Sequence, residues 1–356
     1  MLGISVYLGK QSGNNQEKFI RHMSQSGFRS IFTSLHIPED DATQHLALLK
    51  ELGRQAKKNG MELIADISPV TLDNLNITYE SLPDLLEWGI TGLRMDYGVD
   101  PQVIARLSKT MKIALNASTN DDRIYQELKD CSMDFSMAEA WHNYYPRPET
   151  GLGKEDFTSR NKWLKEKGFT VMAFVPGDGV QRGPIFKGLP SLEKHRGADP
   201  FEAFLELKHE CFADKVFIGD LTLKEETLNK FSIYEKNQIP LRCRIYSDTP
   251  ETREILALDH INRTDSARDA VRSQNTRPYA AEKKLVIEPV SPAERKKGSI
   301  TIDNRLYGRY QGELQITKRD LPADSCINVI GEVVEEDLPL LRFVGGGQAF
   351  LLLAKQ

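Results

Sequence analysis

The chain has 356 residues, with 47 Lys and Arg against 51 Asp and Glu, a net charge of −4 and a pI near 6.1. This length predicts one large domain plus a smaller one, and the interspersed charges give no basic footprint for nucleic acid and no polybasic membrane patch, so the expected partners are small molecules. Four separated cysteines, Cys131, Cys211, Cys243 and Cys326, form no CxxC pair and read as reduced thiols.

The N-terminal "MLGISVYLGK" has no basic region followed by a long apolar run, and no stretch has the apolar length of a membrane span. A cytoplasmic location is expected. From there to residue 235 one theme recurs eight times, a short apolar run followed by a turn and a segment of helical period. The runs are "GISVYL" from Gly3, "SIFTSL" from Ser30, "MELIADI" from Met61, "GLRMDYG" from Gly92, "KIALNAS" from Lys112, "FSMAEAWHN" from Phe135, "TVMAFVPGD" from Thr170 and "KVFIGD" from Lys215. Eight strand–helix units predict a (β/α)8 TIM barrel over residues 1–235. The competitor is an open doubly wound sheet, whose glycine-rich first turn "YLGKQSGNN" imitates poorly.

From 239 to 356 the pattern changes to short apolar runs, "LVIEPV", "SITIDN", "LYGRYQGELQITK", "CINVIGEVV" and "LRFVGGGQAFLLLAK", with one helical segment near "ETREILALDHI". A second, mostly β domain is predicted. The triplet Gly345 to Gly347 lacks a following helix and reads as a turn or bulge rather than a phosphate cradle.

Alternation assigns the barrel faces, because the side toward the helices must be apolar. Leu93 and Met95 on one face turn Arg94 and Asp96 inward. The same parity turns Asp66, Asn116, Glu139, Trp141, Asn143 and Tyr7 toward the axis. Polar inward residues at strand C-termini are where this fold builds active sites. Asp66, Asp96 and Glu139, joined by Glu149 of the proline-stiffened "YYPRPETG" loop, are the catalytic candidates, since paired carboxylates serve as proton donor and as the charged group beside an oxocarbenium-like centre. Tyr7, His36, Arg94, Asn116, Trp141, His142, Asn143, Tyr145, Arg147 and Asp220 are candidates for substrate binding. An N-cap role competes for Asp66 and Asp220, and a structural role for His36. The long loop after the seventh run carries Arg182, His195 and Arg196, and with Arg277 of "NTRPYA" these are expected to hold a phosphate. No HxH or HExxH pair, GxSxG elbow or nucleophilic cysteine stands out, and no metal or cofactor is expected.

Taken together, "MLGISVYLGK", "IFTSLHIPEDD", "LIADISP", "GLRMDYG", "HNYYPRPETGLG", "GDLTL" and "GSITIDNRLYGRYQGELQI" resemble the family of the 6-phospho-N-acetylmuramidase MupG over essentially the whole chain. The resemblance implies an N-terminal (β/α)8 barrel and a C-terminal cyclophilin-like β-barrel domain. It also implies cleavage of 6-phospho-N-acetylmuramyl-β-1,4-N-acetylglucosamine in cytoplasmic recycling of peptidoglycan sugars. Two alternatives remain open on the residues alone, a metal-dependent sugar-phosphate isomerase or epimerase and a non-catalytic carbohydrate-binding protein.

Overall fold

The computed structural model describes residues 1–9, 13–35, 42–75, 77–95 and 98–354. The chain divides into two compact units, Met1–Asn229 and Lys230–Gln356.

In the first unit eight strands form a closed parallel barrel in sequential order. They are β1 (Leu2–Ser5), β2 (Phe28–Ser34), β3 (Glu62–Ile67), β4 (Gly92–Met95), β5 (Lys112–Asn116), β6 (Ala138–Trp141), β7 (Thr170–Val175) and β8 (Lys215–Ile218), and β1 closes on β8 through Leu2 to Val216. The helices between and after them are α1 (Gly13–Gln25), α2 (Ala42–Lys58), α3 (Pro69–Leu75), α4 (Pro101–Leu107), α5 (Asp122–Asp130), α6 (Lys154–Glu166), α7 (Pro200–Glu210) and α8 (Glu225–Tyr234). This is the predicted TIM barrel. Local chemistry sets several boundaries: Asp100, Asp121 and Asp199 each accept a backbone N–H of the first turn of α4, α5 and α7, while Gly60 supplies the left-handed residue (φ +63°) beyond α2.

One boundary differs from expectation. The run "FSMAEAWHN" begins as a 3-10 turn over Phe135–Met137, capped by Asp134, whose carboxylate accepts the Ser136 N–H. The strand therefore starts only at Ala138.

The second unit is a seven-stranded mixed sheet in the order β10-β15-β9-β14-β12-β13-β11. Its strands are β9 (Gln238–Ile245), β10 (His260–Ile261), β11 (Ala270–Arg272), β12 (Ser299–Asp303), β13 (Leu314–Thr317), β14 (Ile327–Val333) and β15 (Ala349–Ala354), with helices α9 (Pro250–Leu256) and α10 (Thr276–Glu282). Only β15 and β9 pair in parallel. Beyond the two outer strands Asn262 bridges Ser273, and the Arg263 N–H reaches the Arg272 carbonyl, so the sheet curls into a nearly closed barrel. "LVIEPV" is not a strand, and β9 to β11 were not among the expected runs. The glycine triplet forms the turn into β15, with Gly347 at φ +76°. Among the described residues no helix is long and apolar enough to cross a membrane.

Candidate active site

The interior of the barrel is stacked in three levels along its axis. At the N-terminal end lies a buried charge cluster, in which Lys215 Nζ is 2.7 Å from both Glu62 Oε2 and Glu139 Oε1. Lys112 pairs with Glu62 and stands 3.6 Å from Glu139. Glu139 and Lys215 are only 3% and 4% exposed, so each charge depends on the others for compensation.

Above this floor sits an apolar plug of Phe32, Ile64, Trp141, Met172, Phe174 and Phe217. Trp141 packs against Phe217 at 5.0 Å between centroids, and its indole N–H donates to Glu139 Oε2 at 2.7 Å. Gly3 is required here, because a Cβ at that position would lie 2.4 Å from the Phe217 ring.

These levels place two of the candidate residues. Parity did turn Glu139 and Trp141 inward, but the late start of β6 makes Glu139 its first inward residue and Trp141 its second. Glu139 is consequently locked in the floor and Trp141 in the plug, away from the mouth where substrate would enter. Only Asn143, the third inward position, reaches the C-terminal end.

At that end, Arg94 Nη1 donates to Asp66 Oδ1 at 2.9 Å and Arg94 Nη2 to Asn143 Oδ1 at 2.6 Å. Asp66 and Arg94 are 7% and 5% exposed. Asn116 lies at the end of β5 with its side-chain oxygen accepting the Ser118 N–H at 2.9 Å. It also borders a cavity of about 380 Å³ whose wall comes mainly from α4 and α5, through Pro101, Ile104, Ile124 and Leu128, and from the helix-facing Met95 and Leu115, so this cavity lies in the helix layer; Asn120 on its edge buries an amide with no hydrogen-bond partner among the described residues.

On the other side of the mouth the Arg182 guanidinium lies 4.0 Å from the Tyr7 ring centroid, and its Nη1 donates to the Tyr144 hydroxyl at 2.9 Å. Tyr144 stands edge-on to Phe174 at 5.1 Å, and the Tyr7 hydroxyl donates to the Gly219 carbonyl at 2.7 Å. Burial holds the Tyr7 phenol well above its ordinary range, so it stays protonated. Among the described residues Arg182 has no carboxylate within ion-pair distance, and it is half-buried. An oriented cation of this kind is suited to an anion arriving from solution.

Other candidates have structural employment. The Asp220 carboxylate accepts the backbone N–H groups of Gly177 (2.9 Å), Arg182 (3.0 Å) and Leu189 (3.1 Å), which fastens the long loop after β7 over the barrel. These three bonds occupy the Asp220 carboxylate and fix the backbone at Arg182. His142 faces the helix layer, with Nε2 2.6 Å from Asn161 Oδ1 and its ring packed at a tilt against Phe157; burial lowers its pKa to about 4, leaving it neutral. His195, 1% exposed, bonds Glu206 at 2.8 Å. Arg196 is clamped by Glu193 and by the carbonyls of Lys187, Gly188 and Tyr145. The same Glu193 accepts the N–H groups of Glu149 and Gly151, and its carboxyl is drawn down to about 2, chiefly by Arg196. His195 and Arg196, the two residues of this loop expected beside Arg182 to hold the phosphate, are thus each engaged by a carboxylate.

Glu149, in a left-handed conformation (φ +71°), and Arg147 expose their side chains on the rim, and Tyr145 is tied through its N–H to the Pro190 carbonyl. Arg277 belongs to the second unit, 3.7 Å from Glu313. Asp96 and His36 lie outside the described residues. Sequence reading missed the floor cluster, although Glu62, Lys112 and Lys215 carried a signal in being charged at the first inward position of their strands.

Comparison with known proteins agrees with this architecture. The model of the N-terminal part of the 6-phospho-N-acetylmuramidases (MupG) matches residues 2–233, and that of the C-terminal part matches residues 239–353. Among solved structures, a conserved Enterococcus faecalis protein of unknown function is 43% identical, with a TM-score of 0.86 over 100% of this chain and 96% of the other. An uncharacterized B. cereus protein is 28% identical, with a TM-score of 0.79 over 99% of both chains. No curated protein matches the chain in sequence. Both halves carry the family's pattern in its order, and the chain belongs to the MupG family of 6-phospho-N-acetylmuramidases.

Proposed function

We propose that the chain hydrolyses the β-1,4 bond of 6-phospho-N-acetylmuramyl-N-acetylglucosamine, adding water to give N-acetylmuramic acid 6-phosphate and N-acetylglucosamine, in cytoplasmic recycling of cell-wall sugars. Family membership supports the reaction. The observation that carries its placement is a polar rim in which a carboxylate fixed by Arg94 and a cation stacked on Tyr7 share one barrel mouth.

Asp66, held by Arg94, is suited to orient a sugar. Arg182 is assigned the 6-phosphate, with Tyr144 as a hydrophobic and hydrogen-bonding flank. Asn116, at the C-terminal end of β5, is assigned the 2-acetamido group. With Glu139 in the floor, Glu149 on the rim becomes the proposed proton donor, and Asp96 remains the proposed charged group at the reacting centre. The neighbouring acetamido carbonyl offers an alternative nucleophile, in which case Asp96 orients the amide. The anomer formed first separates the routes, retention supporting either covalent or substrate-assisted catalysis and inversion requiring direct attack by water. Equal turnover of phosphorylated and unphosphorylated disaccharides would remove the phosphate assignment.

A further inference from the structure

The second unit has a cavity of its own, of about 380 Å³, opening beside β12, β13 and β11. Its polar lining is Arg272, Arg295, Asp303, Glu313 and Gln315, with Tyr307 and Tyr310 on the connection from β12 to β13.

The partners within this lining are unevenly satisfied. Glu313 is saturated, receiving two bonds from Arg272 (2.6 and 3.1 Å) and one from Gln315 (3.0 Å), with Arg277 at 3.7 Å. Asp303 is 4% exposed, yet its Oδ1 is buried with no hydrogen-bond partner among the described residues. Leaving such an atom unpaired is costly, and here it faces a cavity large enough for a ligand. Arg295 donates from Nε to the Pro322 carbonyl at 2.9 Å, and among the described residues it has no ion pair within 4 Å. Tyr307 is 38% exposed and meets Tyr310 edge-on at 5.9 Å.

These features select a ligand class. Arg272 and Arg295 in the lining, with Arg277 beside Glu313, disfavour a bare cation. A bare anion would satisfy Arg295 and leave Asp303 Oδ1 unpaired. A sugar ring with an acidic substituent answers both, because its hydroxyls donate to a carboxyl oxygen and its apolar face suits a tyrosine. We infer that this cavity is a second carbohydrate site, binding an anionic sugar with the acidic group on Arg295 and a hydroxyl donated to Asp303. Burial and the nearby Glu313 charge also push the Asp303 carboxyl up to about 7, which allows it to exchange acceptor for donor as the ligand requires.

Titration calorimetry on the full chain with glucuronate, glucose 6-phosphate and glucose tests this. At least one of the two acidic sugars should bind, glucose should bind at least ~10-fold more weakly, and Arg295→Ala should weaken the acidic sugar by at least ~10-fold, the loss of a charge-assisted bond. The titrations use the Arg182→Ala chain, so that the 6-phosphate contact proposed in the barrel does not contribute. Which acidic sugar binds tells whether a carboxylate or a phosphate is read. Asp303→Ala should weaken binding similarly, and if it fails to fold, the half-exposed Arg295 still decides the matter. The inference is overturned if neither acidic sugar saturates, if glucose binds equally well, or if binding survives Arg295→Ala.

Discussion

Arg94 holds Asp66 at 2.9 Å, buried at the C-terminal end of the barrel, and reaches Asn143 with its other terminal nitrogen. Strands β3 and β4 and the segment that follows β6 are thereby tied together at the height where this fold places its chemistry.

Removing the charge from that pair should separate function from folding. Asp66→Asn keeps the shape and one acceptor, and kcat/KM for the phosphorylated disaccharide should fall by ~10² or more if the carboxylate orients the sugar. Stability should also drop, since Arg94 loses its buried counter-charge, by roughly 3–5 kcal/mol at most. Steady-state kinetics on protein verified as folded by circular dichroism checks this, and turnover within a few-fold of wild type would exclude Asp66 from the site.

Arg182→Ala should act on affinity for the phosphate. A charge-assisted hydrogen bond of about 1.5–3 kcal/mol corresponds to a loss of roughly 10- to 100-fold in kcat/KM. The loss should be confined to the phosphorylated disaccharide, and Arg182→Lys should recover part of it. An equal loss on the unphosphorylated sugar would mean that Arg182 only braces Tyr7 and Tyr144.

Glu139→Gln should behave in the opposite way to Asp66→Asn. Lys215 keeps Glu62 as a partner, so the cost should be near the lower end for a broken buried pair, about 3 kcal/mol. In a unit of this size that corresponds to a fall in Tm of roughly 6–12 °C. Calorimetry should show this fall, while kcat/KM at 25 °C stays within about threefold. Lost turnover in a stable Glu139→Gln protein would return Glu139 to the catalytic candidates.

These contrasts show what was legible beforehand. Period and alternation identified the eight strands and which way Asp66, Asn116, Glu139 and Asn143 face, because helix-side positions must be apolar. Height along the axis was not legible, since it depends on where β6 begins, and the 3-10 turn at Phe135–Met137 moved that start by three residues from the expected Phe135. Nor could sequence show that His195, Arg196 and Asp220 are consumed by Glu206, by Glu193 and by three backbone N–H groups. Such partners are brought together by the loop's path rather than by spacing.

The buried carboxyl of Asp303 predicts a pH signature in stability. Its pKa is raised in the fold to about 7 from an ordinary 3.8, by burial first and then by Glu313, against the opposing charge of Arg272. Between these values the folded state binds more protons than the unfolded one, so this group's contribution falls as pH rises through roughly 4 to 7 and levels off above. Asp303→Asn should flatten that part of the Tm against pH curve relative to wild type. Parallel curves for the two proteins would show that Asp303 ionises normally.

The central claim is tested most directly by incubating the purified chain, with chelator and no added metal, with 6-phospho-N-acetylmuramyl-N-acetylglucosamine and with its unphosphorylated counterpart. The account predicts release of N-acetylglucosamine from the phosphorylated disaccharide, and release from the other that is slower by at least the 10- to 100-fold assigned to the Arg182 contact. No release from the phosphorylated disaccharide, or equal rates from the two, would contradict it.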